Sequence, residues 1–272
     1  MQPLSGRLKI DENTANFLGI AVSALTFDIF FAYVDRWISK KNNRSHHVAL
    51  INAFCAVSTL SDARLLRIYN GADLVVPDGM PFVYWIRCLL KKSCHQFDAS
   101  SILTNLIHHA QEKQYTFYLY GGHPEVLENM KSNLEHSFPH IKIVGHKSPP
   151  FRALTEEEDT AICDEINRIK PDILCIGLGT PKQDYWIDEH IEKIKGTVMI
   201  PCGAIFDFFG GRVKRAPKYI QRTGIEWLFR LFSKDFKRLF KRYTILNIIF
   251  ILNLIFQIIG NRVRYPAAWK RS

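Results

Sequence analysis

The feature of this 272-residue sequence that most constrains its fold is a series of continuous apolar runs separated by stretches with helical spacing. The seven runs read FLGIAVSA, HVALINA, ADLVVP, TFYLYGG, IKIVGH, DILCIGLG and TVMIPCG. Runs without polar alternation are typical of strands buried on both faces, and strands that alternate with helices form mainly parallel sheets. The sequence therefore predicts an α/β, Rossmann-like, doubly wound domain over residues 1–210, with its ligand site at the carboxyl ends of the strands.

The beginning of the chain and its cysteines indicate a cytoplasmic protein. Residues 1–17 lack the basic-then-apolar order of a signal peptide, and the apolar segment after them is interrupted by Asp28. We interpret that segment as a strand followed by a helix that Thr26 caps. The six cysteines include no C-x-x-C pair and most lie in apolar stretches, which predicts reduced thiols in the core rather than disulfides or metal ligands.

The positive charge of the chain is concentrated at its carboxyl end. Residues 211–272 contain 15 lysines and arginines against two acidic residues, whereas residues 1–210 contain 21 basic and 24 acidic residues. Between residues 224 and 243, apolar side chains recur near helical spacing and basic side chains gather on the other side. This pattern predicts a basic helical appendage that associates with an anionic membrane surface, or else an ordinary amphipathic helix packed on the core.

An apolar segment, residues 244–260, follows the basic stretch and contains three amide side chains, Asn247, Asn253 and Gln257. It is shorter than the roughly 20 apolar residues of a simple membrane span, which favours an in-plane or partly embedded anchor. An interface between copies of the chain in a homo-oligomer is the other interpretation. The aliphatic segment beside the basic stretch argues against a nucleic-acid-binding protein.

Glycine and proline recur where three predicted strands turn into helices. The junctions read VVPDGMPFVYW, YLYGGHPEVL and IGLGTPKQDYW, and they contain Gly79, Gly121, Gly122, Gly177, Gly179 and Pro181. Glycine lets the backbone approach a ligand closely, and N–H groups at a helix start favour anions, so the junctions predict a phosphorylated ligand. The alternative is that each junction is merely a tight turn. Neither the G-x-G-x-x-G nor the P-loop pattern is present, which argues against NAD and against Walker-type ATP binding.

Asp78 follows the strand at the first of these junctions. Pro81 at the first helical position would place the helix cap at Met80 and leave Asp78 two residues outside the helix. Capping is therefore disfavoured. A carboxylate at a strand end beside a phosphate site suits a general base that takes a proton from an incoming hydroxyl.

Two amide side chains at strand ends have open roles. Gln183 lies in the segment Thr180-Pro181-Lys182-Gln183, which fits a capping box in which its side chain bonds back to the backbone of Thr180. Asn52 ends a strand and is either a turn former or a polar contact to a ligand. The residue types and their spacing alone do not decide between these roles.

Five segments in the same order resemble the WecG/TagA/CpsF glycosyltransferases, glycosyltransferase family 26, from about residue 17 to about residue 245. They read ADLVVPDG, GHKSPPF, PDILCIGLGTPKQDYWI, CGAIFDFFGGRVKRAPKYIQRTGIEWLFRL and RLFKRY. The resemblance implies metal-independent transfer of a sugar from a UDP-sugar, a substrate rather than a cofactor, to a polyprenyl-diphosphate-linked saccharide. It also implies an enzyme of polysaccharide or teichoic acid synthesis, attached peripherally to the inner face of the cell membrane.

The same resemblance assigns roles to residues of this sequence. Asp78 matches the proposed catalytic base, Gln183 matches a glutamine placed in the active site, and Asn52 matches the asparagine that ends the second strand. We expect the glycine junctions and Lys182 to contact the substrate. For the leaving diphosphate we expect bidentate clamps from Arg215, Arg222 and Arg230.

Two departures from the family pattern concern substrate recognition. Leu50 stands where the family commonly has threonine. In the segment QFDASSI, arginine, glycine and aspartate are replaced by Gln96, Ala99 and Ser101. The transferred sugar therefore does not follow from better-known members. Two other functions stay open, namely a catalytically inactive membrane-associated scaffold of the same fold and a nucleotide-dependent Rossmann oxidoreductase.

Overall fold

The computed structural model describes residues 13–40, 43–203, 205–212 and 245–259. Its strands are β1 (Thr14–Phe17), β2 (Ile20–Ser23), β3 (His46–Ile51), β4 (Leu74–Pro77), β5 (Thr116–Gly121), β6 (Lys142–Lys147), β7 (Ile173–Gly177) and β8 (Val198–Pro201). Its helices are α1 (Phe27–Ser39), α2 (Ala53–Ser58), α3 (Ala63–Gly71), α4 (Met80–Leu90), α5 (Ala99–Lys113), α6 (Pro124–Ser137), α7 (Glu156–Ile169), α8 (Lys182–His190), α9 (Ile205–Phe209) and α10 (Leu246–Ile258).

Six of these strands form one parallel sheet in the order β4-β3-β8-β7-β5-β6. Strands β3, β4 and β8 are buried at every position, whereas the edge strand β6 is partly exposed. Continuous apolar strands of this kind require cover on both faces, and helices provide it. The predicted α/β, Rossmann-like fold with a mainly parallel sheet is confirmed.

Alternate side chains of β3, β4, β5, β7 and β8 enter different cores, as the pleat of a strand requires. Val48 and Leu50 of β3 lie in the larger core, which includes side chains from α1, α5 and α6. Ala49 and Ile51 of the same strand lie in a second core with α2, α3 and α4. A third core holds side chains from α7 and α8 together with the alternate residues of β5 and β7. These five strands are therefore covered on both faces, whereas the edge strand β6 is not.

The prediction of one strand in FLGIAVSA is wrong. Strands β1 and β2 form a separate antiparallel hairpin in which Phe17 pairs with Ile20. The two residues between them, Leu18 and Gly19, have positive φ angles of 51° and 95°, the backbone that a tight hairpin turn requires. Thr26 does occupy the N-cap position of α1, but its side chain makes no capping hydrogen bond.

Parallel pairing brings the carboxyl ends of neighbouring strands to one edge of the sheet. The register pairs Ile51 of β3 with Pro77 of β4, so the residues that follow them, Asn52 and Asp78, are neighbours. Strand β3 pairs with β8 at two positions only, both at the beginning of the strands. The connections that leave β5 and β7 run in opposite directions along the sheet, which makes this pair a topological switch point.

Glycines at the ends of β5 and β7 allow close internal packing. A Cβ atom on Gly121, whose φ angle is +124°, would lie 2.6 Å from the Gly177 backbone. A Cβ atom on Gly177 would lie 2.5 Å from the ring of Phe206 in α9, and one on Gly122 would lie 3.1 Å from the same ring. Packing therefore explains why glycine occupies these positions. Their contact with a ligand stays a prediction.

We predict that Gly177→Ala lowers the free energy of unfolding by about 1–3 kcal/mol, the typical cost of overpacking, because its methyl group overlaps the Phe206 ring. The matched control is Gly71→Ala at the end of α3, where nothing lies within 4 Å of the added methyl group. The control is expected to leave the urea midpoint unchanged or slightly higher. An equal loss in both variants would contradict the packing argument.

Candidate active site

Asp78 lies between β4 and α4, and its main chain is bonded on both sides. Its N–H donates to the Ile51 carbonyl at 2.9 Å, and its carbonyl accepts from Gln96 Nε2 at 2.7 Å. The N-cap of α4 is Gly79 rather than Met80, so Asp78 lies one residue outside the cap instead of the two predicted. The interpretation that Asp78 is not the helix cap is therefore confirmed.

The Asn52 side chain connects the ends of β3 and β4. Its Oδ1 atom accepts from the Cys55 N–H at 3.2 Å, which caps α2. Its Nδ2 atom donates to Asp78 Oδ2 at 2.8 Å. The helix cap therefore determines which end of the amide faces the carboxylate. Asn52 is a capping residue and a polar partner of Asp78, and its contact with a ligand stays a prediction.

The segment that departs from the family pattern supports Asp78 from the other side. Gln96, which holds the Asp78 carbonyl, is itself held through its own carbonyl by Ser101 Oγ at 3.3 Å. Ser101 Oγ also donates to the Asp98 carbonyl at 3.0 Å, and Asp98 Oδ1 caps α5. Leu50, the other departure, is a buried core residue. Sequence reasoning did not find this supporting role of Gln96, because the partners are 18 residues apart.

The Gln183 side chain makes hydrogen bonds to residues of the loop between β7 and α8. Its Oε1 atom accepts from the Gly179 N–H at 3.1 Å, and its Nε2 atom contacts Thr180 Oγ1 at 3.2 Å. The predicted capping box is wrong, because α8 begins at Lys182 and its N-cap position, Pro181, makes no side-chain cap. The side chain holds the loop at Gly179, whose φ angle is +79°. Lys182, the first helical residue, is exposed.

The two groups of side chains lie at the same edge of the sheet. One group, Asn52, Asp78 and Gln96, surrounds the ends of β3 and β4. The other consists of the Gly179 loop and Gln183, which also lies against Gly203 after β8: a Cβ atom on Gly203 would lie 3.3 Å from Gln183 Oε1. Strands β3 and β8 are adjacent but unpaired at these ends. The arrangement places a fixed carboxylate and a glycine loop on either side of the gap between them.

Asp184 is a buried acid that the sequence analysis did not single out. It follows Gln183, it is 2% exposed, and burial raises the pKa of its carboxyl to about 7. The Tyr69 hydroxyl lowers that pKa in part, and the Asp184 charge contributes to the raised pKa of Cys55. The signal that could have identified Asp184 in the sequence is its position next to Gln183, a candidate active-site residue. Its burial could not be read from the sequence.

Among the described residues, one group of three side chains has the chemistry of a metal site. Single ligand atoms of Asp159, Cys163 and His190 lie within 4.8 Å of one another. The Asp159 carboxylate is already bound by His190 Nε2 at 2.6 Å and by Lys193 Nζ at 2.9 Å. These contacts satisfy the carboxylate, so the group is explained as a polar cluster between α7 and α8. Five of the six cysteines are buried, as predicted, and Cys88 is exposed.

Arg215, Arg222 and Arg230 lie outside the described residues, as does the basic stretch from 224 to 243. The prediction that they bind a diphosphate is therefore still a prediction. The apolar segment is described as α10 over most of its length.

Comparison with known proteins identifies the chain. A sequence model of the WecG/TagA/CpsF family of glycosyl transferases matches residues 15–264, nearly the whole chain. The chain belongs to this family. It is therefore a glycosyltransferase, and the alternative of a Rossmann oxidoreductase is excluded.

Several curated relatives of this glycosyltransferase carry the name N-acetylglucosaminyldiphosphoundecaprenol N-acetyl-beta-D-mannosaminyltransferase. The protein of Bacillus subtilis strain 168 is 26% identical over 184 residues, 68% of this chain and 70% of the relative. That of Bacillus spizizenii strain W23 is 24% identical over 221 residues, 81% of this chain and 82% of the relative. That of Staphylococcus aureus strain MW2 is 29% identical over 174 residues, 64% of this chain and 66% of the relative.

We predict that Asp184 makes the stability of this glycosyltransferase fall as the pH rises from about 4 to about 7. In this range the native state holds a proton on Asp184 that the unfolded chain has released, so the slope reaches up to about 1.4 kcal/mol per pH unit. Asp184→Asn removes this pH-dependent component. The free energy of unfolding of the variant, relative to that of the wild type, should therefore increase as the pH rises.

Urea denaturation at several pH values measures this difference. Asp188→Asn, an exposed position on the same helix, is the matched control and should follow the wild-type curve. Parallel curves for the wild type and Asp184→Asn would show that the Asp184 pKa is not raised.

Proposed function

We propose that this glycosyltransferase moves an N-acetylhexosamine or related sugar from a UDP-sugar to a polyprenyl-diphosphate-linked saccharide, with inversion and without a metal or cofactor. The product belongs to cell-surface polysaccharide or teichoic acid synthesis. The observation that carries the proposal is the Asn52–Asp78 hydrogen bond at the carboxyl edge of the sheet. It holds a carboxylate at the edge of the sheet on which open α/β folds bind their ligands, three strands away from the switch point between β7 and β5.

In the proposed mechanism Asp78 is the general base. An acceptor hydroxyl oxygen attacks the anomeric carbon of the donor while its proton passes to the Asp78 carboxylate. The bond between the anomeric carbon and the diphosphate oxygen breaks, and its electron pair leaves with UDP. Attack opposite the leaving group inverts the configuration at the anomeric carbon.

The contacts around Asp78 suit this role. A general base must come within hydrogen-bond distance of the proton that it takes, so contacts that restrict its position favour the transfer. Asn52 holds one carboxylate oxygen, and the Ile51 carbonyl and Gln96 hold the main chain. Asp184, the buried acid after Gln183, is 2% exposed and cannot meet a hydroxyl of the acceptor.

The leaving diphosphate needs positive partners, and we assign it to the loop side of the gap. Gln183 fixes the Gly179 loop, and exposed Lys182 begins the helix that follows. Arg215, Arg222 and Arg230 remain our candidates for bidentate clamps, since a guanidinium can bind two phosphate oxygens at once. Gly179 has nothing within 4 Å of the position where a Cβ atom would lie, so there is room for a ligand beside its Cα atom, while its N–H and carbonyl are bonded to Gln183.

The sugar and the acceptor are proposed from the names of the relatives. Those names describe transfer of N-acetylmannosamine to an N-acetylglucosaminyl-diphospho-lipid. In this chain Gln96 replaces the arginine that the family commonly has, and it lies against the base. Because a cation is lost there, we expect donor or acceptor preference to differ from these relatives. A panel of UDP-sugars with a short-chain polyprenyl-diphosphate acceptor, read by product mass, identifies the substrate.

We predict that Asp78→Asn lowers turnover by at least 10²-fold, because an amide cannot take the proton, while UDP affinity stays within a few-fold. Rates on a short-chain acceptor and calorimetric titration with UDP measure the two effects. Asp28→Asn, an exposed acid in the first turn of α1, is the matched control and should retain wild-type turnover.

Wild-type turnover in Asp78→Asn would refute the base assignment. A wild-type chain that binds UDP but transfers no sugar from any donor in the panel would favour the inactive scaffold of the same fold.

We also predict that Arg215→Gln, Arg222→Gln and Arg230→Gln each weaken UDP binding by about 10- to 100-fold, since a charge-assisted hydrogen bond contributes roughly 1.5–3 kcal/mol. Uridine affinity should change little, because uridine has no phosphate. Comparing the two ligands by titration separates loss of a phosphate clamp from general disruption. Equal weakening of both ligands would show that the arginines act on the fold.

A further inference from the structure

Positively charged side chains surround an open cavity at the far end of α4. The cavity has a volume of about 350 Å³, and among the described residues that line it none is acidic. Its lining consists of Arg87, Lys91, Lys92, Ser93, Cys94 and His95. We call Arg87, Lys91, Lys92 and His95 the cationic cluster.

Two side chains of the cationic cluster are oriented by neutral partners. The Nε and Nη2 atoms of Arg87 both donate to the Cys94 carbonyl, at 3.0 Å and 2.7 Å. The Nδ1 atom of His95 accepts from the Phe27 N–H at 3.2 Å, so the other ring nitrogen, Nε2, is the one that can donate. These contacts restrict the two side chains without neutralising the charge of the guanidinium.

The end of α4 explains only part of the cationic cluster. The last turn of a helix carries roughly half a negative charge, which favours cations there. Arg87 in the last turn and Lys91 at the C-cap fit that explanation. Lys92 and His95 lie beyond the helix, in the loop that leads to α5. The cluster therefore carries more positive charge than the helix end requires, and it can attract an anion.

The loop after α4 connects the cationic cluster to the proposed base. At one end of residues 94–96, the carbonyl of Cys94 is held by Arg87. At the other end, Gln96 Nε2 donates to the Asp78 carbonyl at 2.7 Å. The loop is therefore bonded at both ends, and it runs from the cluster to Asp78.

The length of α4 gives the distance between the cluster and the base. Asp78 lies just before the helix, which begins at Met80, and Arg87 lies seven residues further along, roughly 10 Å at the rise of an α-helix. A single sugar ring followed by a diphosphate spans a comparable distance. A hydroxyl of that sugar can therefore lie at Asp78 while the diphosphate lies at the cluster.

We propose that the cationic cluster binds the diphosphate of the lipid-linked acceptor and that residues 94–96 set its distance from Asp78 to the length of one sugar. The inference rests on the proposed function, because that reaction supplies an acceptor with a diphosphate. Arginine binds phosphate oxygens in pairs, and lysine acts as a point charge. The donor diphosphate has a separate place, since the Gly179 loop follows β7 whereas the cluster follows β4, with β3 and β8 between them.

Phospholipid headgroups are another source of phosphate for these cations. Within the described ranges, none of the helices combines the length and apolarity needed to cross a bilayer. We assign the cluster to the acceptor because its cations are spread over the helix end and the loop, which suits two linked phosphates better than one. The hydrogen-bonded connection to Asp78 also has a use only if the ligand takes part in the reaction.

The variant Arg87→Gln/Lys91→Gln/Lys92→Gln tests the site in the full-length protein. We expect KM for a short-chain prenyl-diphospho-N-acetylglucosamine to rise at least tenfold, because charge-assisted bonds to phosphate are lost. We expect kcat to stay within about threefold and UDP affinity within about twofold, because the base and the donor site are kept.

A matched control removes the same three charges at the opposite edge of the sheet. Lys142, Arg168 and Lys195 are exposed and lie at the start of β6, near the end of α7 and before β8. Their triple change to glutamine should leave KM, kcat and UDP affinity at wild-type values. The double variant Lys91→Gln/Lys92→Gln keeps both bonds of Arg87 to the loop and should still raise KM, which separates charge loss from loop damage. The urea midpoint of each variant reports whether it is folded.

Binding is also measured without turnover, by calorimetric titration of the same acceptor in the absence of donor. Wild-type acceptor affinity in the triple variant, or an equal loss in the control, would overturn the proposal. Weaker UDP binding with unchanged acceptor binding would assign the cluster to the donor. Weaker binding to phosphatidylglycerol vesicles with unchanged acceptor binding would assign it to headgroups. A wild type that binds the acceptor through the cluster but transfers no sugar would refute the proposed function alone.

The spacing is tested with a second acceptor that has two sugars between the prenyl diphosphate and the terminal hydroxyl. It should bind with an affinity within a few-fold of the first acceptor, since the diphosphate is the same. Its turnover should be at least tenfold lower, because the added sugar displaces the reacting hydroxyl from Asp78. Equal turnover of the two acceptors would refute the spacing set by residues 94–96.

Discussion

The hydrogen bond between Asn52 and Asp78 is the contact on which the arrangement of the site depends. It joins the ends of two neighbouring strands, because the register of β3 and β4 brings the two side chains together. The cap that Asn52 makes on α2 orients its amide. One side chain therefore couples the sheet, the start of a helix and the proposed base. A shift of a single residue in the register of β4 would separate them, since successive side chains alternate between the faces of a sheet.

The fold was predictable where burial alone decides the pattern. Strands covered on both faces have to be apolar throughout, so β3, β4, β5, β7 and β8 are recognisable without any alignment. The hairpin was not recognised, because its turn places Leu18 at a φ angle of 51°, a conformation that residues other than glycine rarely adopt. Distant contacts stabilise it: Asn70, on α3, accepts from the Ala21 N–H and donates to the Gly19 carbonyl. No local pattern near residue 18 contains that information.

The site was predictable in its position and in Asp78 and Asn52, since both follow strands that end at the same edge. The roles of the surrounding residues were less accessible. Gln96 reaches the Asp78 carbonyl across a whole helix, and the shift of the α8 start by one residue changes Gln183 from a capping residue into a support of the loop. The sequence pattern around Gly177 predicts contact with a ligand. The group that requires a glycine there is instead the ring of Phe206, 29 positions further along the chain. Each of these roles depends on a contact between segments whose relative position in space cannot be derived from the sequence.

The hairpin that the sequence did not reveal also determines how α10 can lie. Gln257 is half-buried, and an amide that loses water without gaining partners is costly, so both of its ends have to face groups that can bond them. The hairpin turn offers an N–H and a carbonyl in that place, at Leu18 and Asn16. Rotating α10 by half a turn would break both bonds and expose Phe250, which packs against Phe17 and Phe82. The orientation of α10 on the domain is therefore a consequence of hairpin geometry.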